Sequence, residues 1–203
     1  MKKIITVISI LITATTTMSM TSIRTLKGIK SVRGNVTYTN NSITKNIPIH
    51  TVFLGLEGEY LLPVYENYNK TKFLLGVGGD IKLGFSGYKE DNLKKILIEG
   101  YLGPYVTGQF GYQVNRDFLL RGGLKVGVGL DTHSVWSKPG ALNAKFAPTV
   151  GVPITLIGGL DYNKFSLNLE IGGKYLAKKG EIGILNKHKF VFTTGISLGY
   201  IFK

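Results

Sequence analysis

The residues of this chain that could support catalysis are few, and the three histidines are the first of them. They are His50, His133 and His188, and Ser134 directly follows His133. A serine activated by a histidine, with an acid nearby, is the arrangement expected of a lipid hydrolase or acyltransferase. Adjacent residues of a strand point to opposite faces, so His133 and Ser134 lack that geometry. We interpret His133 as an ordinary loop histidine and predict no catalytic residue; a lipid-modifying enzyme is the alternative.

Metal and cofactor sites are not indicated either. No third histidine or carboxylate accompanies His50 or His188 at ligand spacing. The chain contains no cysteine, which removes thiolate ligands, disulfides and a cysteine nucleophile. Its glycines form no GxGxxG or phosphate-binding loop. We therefore expect no metal, no cofactor and no enzymatic activity.

Charged residues inside otherwise apolar or small-residue segments are the second informative group. They are Arg33, Glu57, Glu59, Asp80, Lys82, Glu99, Arg121, Lys125, Glu170 and Lys174. Acids and bases nearly balance in this set. An unpaired buried charge costs several kcal/mol, so the balance predicts a buried network of ion pairs.

The segments that carry these charges alternate between apolar and polar positions. In residues 72–85 the odd positions are almost all apolar, whereas the even ones are glycine, Leu74, Asp80 or lysine. A period of two predicts a strand with one apolar and one polar face. Eight segments show the pattern: 29–38, 49–62, 72–85, 95–112, 117–131, 146–162, 164–176 and 189–202.

The connections between these segments alternate in length. Long ones are expected at 39–48, 86–94, 132–145 and 177–188, and tight ones near 114–116 and at 163. Aromatic residues recur at strand ends in the phase of the apolar face. Together these features predict an all-β fold, an eight-stranded antiparallel up-and-down transmembrane β-barrel over residues 29–203 with its termini on the periplasmic side.

The direction of the apolar face separates a membrane barrel from a soluble ligand carrier. The polar face consists mostly of glycine, serine and threonine, which are too small and too sparsely charged for a solvated exterior. We therefore place the apolar face outward and the charges inside. An eight-stranded barrel is about filled by its own side chains, so we expect a structural plug, with a narrow charge-lined pore as the alternative.

The first residues predict export. Lys2 and Lys3 precede an apolar stretch at 4–14 and then small and polar residues, as in a secretory signal peptide of about residues 1–22. The stretch is shorter than the roughly 20 residues of a membrane-spanning helix. An uncleaved anchor is the alternative. Export of a barrel predicts the outer membrane of a Gram-negative-type bacterium.

The last segment, FVFTTGISLGYIF, resembles the closing strand of small bacterial outer-membrane β-barrel proteins of the OmpA/OmpX-like and porin-like kind. The matching aromatic residues are Phe190, Phe192, Tyr200 and Phe202. Lys203 departs from the family's terminal phenylalanine by one residue. The resemblance implies recognition by the barrel-assembly machinery. It does not select a function, because the family includes adhesins, anchors, channels and lipid-modifying enzymes.

The formal net charge of +13 is the remaining feature that bears on function. Much of the excess falls at the expected loops and outer strand ends, where we define a basic outer rim. Its residues are Lys94, Lys95, Lys178, Lys179, Lys187 and Lys189. Each lysine near an anionic surface contributes about 1 kcal/mol, so we expect contacts with outer-membrane lipid and lipopolysaccharide, or with host or envelope polyanions. No motif indicates nucleic acid, and we expect a monomer.

Overall fold

The computed structural model describes residues 28–44, 47–67, 70–90, 93–136, 148–176 and 190–202, and its regular structure is entirely β. The strands are β1 (Ile29–Thr44), β2 (Ile47–Glu66), β3 (Thr71–Glu90), β4 (Leu93–Gln113), β5 (Phe118–Gly127), β6 (Gly129–Trp136), β7 (Thr149–Tyr162), β8 (Phe165–Leu176) and β9 (Phe190–Phe202). In the described part of the chain no helix has the length and apolar character needed to cross a membrane. The expected signal peptide, residues 1–22, lies outside these residues.

Antiparallel pairing closes the strands into a ring. Each strand pairs with its sequence neighbours except that β5 and β6 do not pair with each other, and β1 also pairs with β9, which closes the barrel. The strands β5 and β6 form two halves of one barrel strand, because both pair with β4 on one side and β7 on the other. The ring therefore has eight hydrogen-bonded positions, and the predicted fold class is confirmed. Closure leaves no open sheet edge to face lipid.

The interruption between β5 and β6 falls at Val128, where two prolines flank the strand. The Val128 amide donates to the Pro104 carbonyl oxygen at 3.1 Å. On the other side, Pro153 of β7 has no amide hydrogen and cannot complete the ladder. A side chain at Gly127 would lie 3.0 Å from the Pro104 oxygen and 3.2 Å from the Pro153 ring. Glycine therefore fits at this bend of the barrel wall.

The strands extend further at the outer end than the sequence pattern predicts. Most of the expected loops 39–48 and 86–94 is strand, since β1 and β2 reach Thr44 and Ile47 and β3 and β4 reach Glu90 and Leu93. The prediction of long loops there is wrong. Beyond the lipid both faces of a strand contact polar surroundings, so the alternation ends although the hydrogen-bonded ladder continues. The segments 137–147 and 177–189 lie outside the described residues.

The opposite end has short connections, as predicted. The chain turns at 114–117 between β4 and β5, and at Asn163–Lys164 between β7 and β8. Asn163 has a φ of 54°, in the left-handed region that asparagine tolerates better than most residues. Both Ile29 and Phe202, the ends of the closing strand pair, lie at this end of the barrel. This is the periplasmic end.

The two faces of each strand have opposite character. On β2 the outward side chains of Leu54 and Leu56 are 57% and 60% exposed, whereas Glu57 and Glu59, which follow them on the same strand, are 1% and 5% exposed. Aromatic side chains also point outward near the strand ends; those exposed at the periplasmic rim are Phe110, Tyr112, Tyr162, Phe165 and Phe202, and those at the outer rim are Tyr38, Phe85, Tyr175 and Phe190. The fold thus presents an apolar exterior around a charged interior.

Candidate functional site: the barrel interior and the outer rim

The periplasmic half of the interior is organised around two arginines. The Nη2 atom of Arg33 donates to Glu57 Oε1 at 2.8 Å and to Glu59 Oε2 at 2.7 Å. Arg121 binds both carboxylate oxygens of Asp161, through Nε and Nη2, at 2.8 Å each. This two-bond arginine–carboxylate geometry is among the stronger polar contacts in proteins.

The central part of the interior is organised around Lys125. Its Nζ lies 2.8 Å from Glu170 Oε1 and 3.5 Å from Glu57 Oε2. The same ammonium lies 4.7 Å from the centre of the Tyr105 ring, and the Tyr105 hydroxyl donates to Glu57 Oε1 at 2.5 Å. Glu57 thereby joins the arginine group to the lysine group.

A third carboxylate borders this central group. Asp80 lies 3.7 Å from the Lys125 ammonium and 3.4 Å from that of Lys82. Lys82 is only partly buried, so the group is more open on this side than around Lys125.

The outer part of the interior contains a lysine, two carboxylates and a histidine. Lys174 forms an ion pair with Asp131, and its ammonium also lies 5.3 Å from the centre of the Tyr101 ring. Glu99 accepts a hydrogen bond from the Thr51 hydroxyl at 2.9 Å. The His133 Nδ1 atom is 3.7 Å from Glu99 Oε2, too long for a hydrogen bond but close enough for the imidazole to face the carboxylate.

Ion pairs connect eight of the ten charges expected in the interior, whereas Lys174 pairs separately with Asp131 and Glu99 faces His133. The structure adds three residues to the expected set. Asp131 and Asp161 are buried and paired, and His133 is 6% exposed on β6. Our interpretation of His133 as a loop histidine is wrong, because β6 continues to Trp136 and pairs His133 with Glu99 of β4. The alternation in the sequence already places both aspartates on the polar, inward face. It does not continue past residue 131, so it gives no indication that His133 points inward.

The expected balance of charge needs a correction as well. Among the described residues, seven carboxylates are buried, against four buried cations and the partly buried Lys82. Within the described part of the chain, no lysine or arginine lies within ion-pair distance of Glu99. The basic side chain that faces its carboxylate is His133, at 3.7 Å. The interior of the described barrel therefore holds two more carboxylates than lysine and arginine side chains.

Apolar clusters lie at both ends of the charged interior. Leu61, Leu74 and Leu119 pack together at the periplasmic end, with exposures of 1%, 0% and 6%. Ile49, Tyr88 and Leu97 form a second cluster at the outer end. A cavity of about 50 Å³ lies between them, lined in part by Lys82, Lys125 and Lys174. A space of this size holds one or a few water molecules.

This arrangement is the reverse of a soluble protein, with leucine and aromatic side chains outside and paired ions inside. An apolar exterior is favourable where the hydrocarbon of a membrane surrounds it. Closure of the ring pairs the backbone N–H and C=O groups of the strands, which lipid cannot hydrogen-bond. The chain folds as a transmembrane β-barrel of the outer-membrane type. Among the described residues no group of three or more histidines or carboxylates could hold a metal ion.

Comparison with solved structures finds other outer-membrane proteins. Ail, the attachment invasion locus protein of Yersinia pestis, in complex with the heparin analogue sucrose octasulfate, matches with 14% identity and a TM-score of 0.44 over 86% of this chain and 98% of its own. Neisserial surface protein A matches with 13% identity and a TM-score of 0.43, over 87% and 96%. The outer membrane protease OmpT of Escherichia coli matches with 10% identity and a TM-score of 0.39, over 91% and 100%. No family model and no curated protein matches the chain.

The remaining predicted sites lie on the barrel surface. Of the basic outer rim, Lys94 is exposed and Lys95 is half-buried, and both begin β4. The other four rim lysines, Lys178, Lys179, Lys187 and Lys189, lie outside the described residues. The aromatic residues of the closing strand point outward: Phe190, Phe192, Tyr200 and Phe202 are between 41% and 59% exposed.

Proposed function

We propose that this protein is a non-enzymatic surface barrel with a closed interior, which acts through its lipid-facing and external surfaces. The observation that supports this proposal is the interior itself. Paired ions line it, and apolar clusters lie at both of its ends. These side chains support an interior that leaves little room for water, so the surfaces left for interaction are the exterior and the outer rim.

Conductance in a planar lipid bilayer tests the closed interior. We expect no single-channel steps from the purified protein, and none from Lys30→Gln, which removes an exposed charge from the outer wall. Leu74→Ala combined with Leu97→Ala thins both apolar clusters and should produce brief openings. Regular steps from the unmodified protein would overturn the proposal in favour of a narrow channel. In that case Glu99→Gln or Arg121→Gln should change its ion selectivity.

The structure also supports the absence of enzymatic chemistry at His133. Its imidazole is buried beside Glu99, and in the described residues no hydrogen bond joins it to Ser134. A buried base that cannot contact a nucleophile or a substrate is poorly placed for acyl transfer. We expect His133→Ala and a deletion strain to leave the lipid A mass spectrum of whole cells unchanged. A spectrum altered in both would show a lipid-modifying enzyme.

For partners, we propose the outer-leaflet lipid and lipopolysaccharide, with host or envelope polyanions as the alternative. The supporting observation is that the six lysines of the outer rim outnumber the acids of the same segments, which are Glu90, Asp91 and Glu181. Binding to an anionic surface should weaken steeply with salt, because exposed charges are screened beyond about 8 Å at physiological ionic strength. Binding that is insensitive to salt would contradict the proposal.

For assembly, we propose that the barrel-assembly machinery recognises β9 and that the folded barrel is a monomer. The outward aromatic side chains of β9, with Phe202 at its end, support the first part. Phe202→Ala should slow the appearance of heat-resistant barrel in the outer membrane, whereas Phe165→Ala on the neighbouring strand should not. Equal assembly rates for the two variants would contradict a role for the closing strand.

A further inference from the structure

A pair of lysines faces outward just beyond the lipid-facing belt of β3 and β4. Lys89 and Lys94 are direct cross-strand partners in the register of these strands, and both side chains are exposed. Like charges placed directly opposite each other in a sheet are destabilising. Within the described residues neither lysine has an acidic partner at ion-pair distance. The register therefore places two lysine side chains directly opposite each other on the outer face of the wall.

The head-group layer of the membrane lies within side-chain reach of this pair. Lys89 shares its outward phase with Phe85 of the outer aromatic belt, four residues earlier on β3. At roughly 3.4 Å per residue and a strand tilt of about 40°, the Lys89 backbone lies about 10 Å above that ring. A lysine side chain can bend back toward the interface by several ångströms. Both ammonium groups can thus reach lipid head groups while their stems stay along the barrel wall.

A recess and an exposed histidine adjoin the lysines. Gly87 lies two residues before Lys89 on the same face, and a side chain added there would have no atom within 4 Å. His50 is exposed on the outer wall of β2, where its Nδ1 and the Tyr38 hydroxyl share a hydrogen bond of 2.5 Å. In the tautomer in which the Tyr38 hydroxyl donates, the imidazole proton lies on Nε2, which can then donate to an anion. The ladder between β2 and β3 ends at the pair of Val52 and Phe85, and His50 and Gly87 each lie two residues beyond it on their strands.

We propose that Lys89, Lys94 and His50 form a binding site for a phosphate group of an outer-leaflet lipid, with the recess at Gly87 admitting the head group. This inference deepens the proposed function and rests on its outward, lipid-contacting surface. It assigns that contact to the β2–β4 wall, whereas the rim lysines predicted from sequence extend to the connection between β8 and β9. The bound phosphate would relieve the repulsion between the two ammonium groups.

Native mass spectrometry of the detergent-solubilised protein tests the site with bisphosphorylated lipid A as the probe. One lysine near an anionic surface contributes about fivefold in affinity, so Lys89→Gln with Lys94→Gln should weaken binding roughly 25-fold. Gly87→Val, which keeps every charge but fills the recess, should weaken it several-fold. Lys30→Gln is the matched control, since Lys30 is also exposed on the outer wall but pairs with Tyr60 and Phe202 instead of a lysine.

Each outcome of these binding measurements either supports or overturns the phosphate site. Equal affinity of the double variant and the unmodified protein would overturn the site, as would a per-lysine loss in Lys30→Gln as large as that at Lys89 and Lys94. Equal binding of dephosphorylated lipid A would exclude phosphate as the ligand. Displacement of the lipid by a short heparin fragment at equal concentration would assign the site to soluble polyanions. A conducting barrel that still binds lipid A here would refute the closed interior and leave this site intact.

Discussion

Removal of Arg33 is the sharpest test of the interior network. Its guanidinium is 1% exposed, and one nitrogen contacts two carboxylates, Glu57 and Glu59, at 2.8 and 2.7 Å. Arg33→Met leaves Glu59 with Arg121 at 3.9 Å as its nearest cation, and leaves Glu57 with Lys125 at 3.5 Å. Breaking a buried pair in this way costs about 3–5 kcal/mol, because a charge remains in the interior without its partner.

The assay is unfolding by urea in detergent micelles, with the fraction of folded barrel read from its heat-sensitive band on a gel. Arg33→Lys keeps the charge but loses the planar fork, and should cost about 1–3 kcal/mol. Arg33→Met with Glu59→Gln removes the stranded charge and should recover about 1–3 kcal/mol relative to the sum of the single changes. Lys30→Met, on the same strand but facing outward, should change the unfolding free energy by less than about 0.5 kcal/mol.

Two results would refute this reasoning. The first is an Arg33→Met variant that is as stable as Lys30→Met, because the ion pairs of Arg33 with the carboxylates would then contribute nothing to the stability of the barrel. The second is strict additivity of Arg33→Met and Glu59→Gln, because an ion pair at 2.7 Å must show coupling if it stabilises the barrel.

Two further predictions concern the wall and the architecture. A side chain at Gly199 would lie 2.1 Å from the Val32 carbonyl oxygen and 2.3 Å from Arg33 Cγ, whereas one at Gly58 would have no atom within 4 Å. Gly199→Ala should therefore lower the free energy of urea unfolding by at least about 2 kcal/mol, and Gly58→Ala should change it almost not at all. Equal stability of the two variants would contradict the packing between β1 and β9. The detergent-folded protein should migrate differently on a gel before and after heating and should show a β-type circular dichroism spectrum; substantial helix, or fractionation as a soluble protein without detergent, would contradict the barrel.

The alternation of residues by itself determined most of the fold. In a membrane barrel, alternate residues of a strand face hydrocarbon and the packed interior. The alternation in a segment such as 72–85 therefore predicts both the strand conformation and the direction of its side chains. The inward phase of Glu57, Arg121 and Lys125 follows directly from it. The same physics explains where the prediction stopped. Beyond the hydrocarbon the environment no longer differs between the two faces, so the alternation does not identify strand residues such as Tyr88 and His133.

Only the tertiary structure decided which charges meet. Arg33 and Ser166 lie 133 residues apart in the sequence, and Lys174 reaches Asp131 across the interior; such contacts depend on strand register, tilt and side-chain length, none of which the period specifies. The register also placed Lys89 opposite Lys94 and His133 opposite Glu99. Alternation fixes the face on which a residue lies, whereas partners across the barrel are set by the closure of the ring.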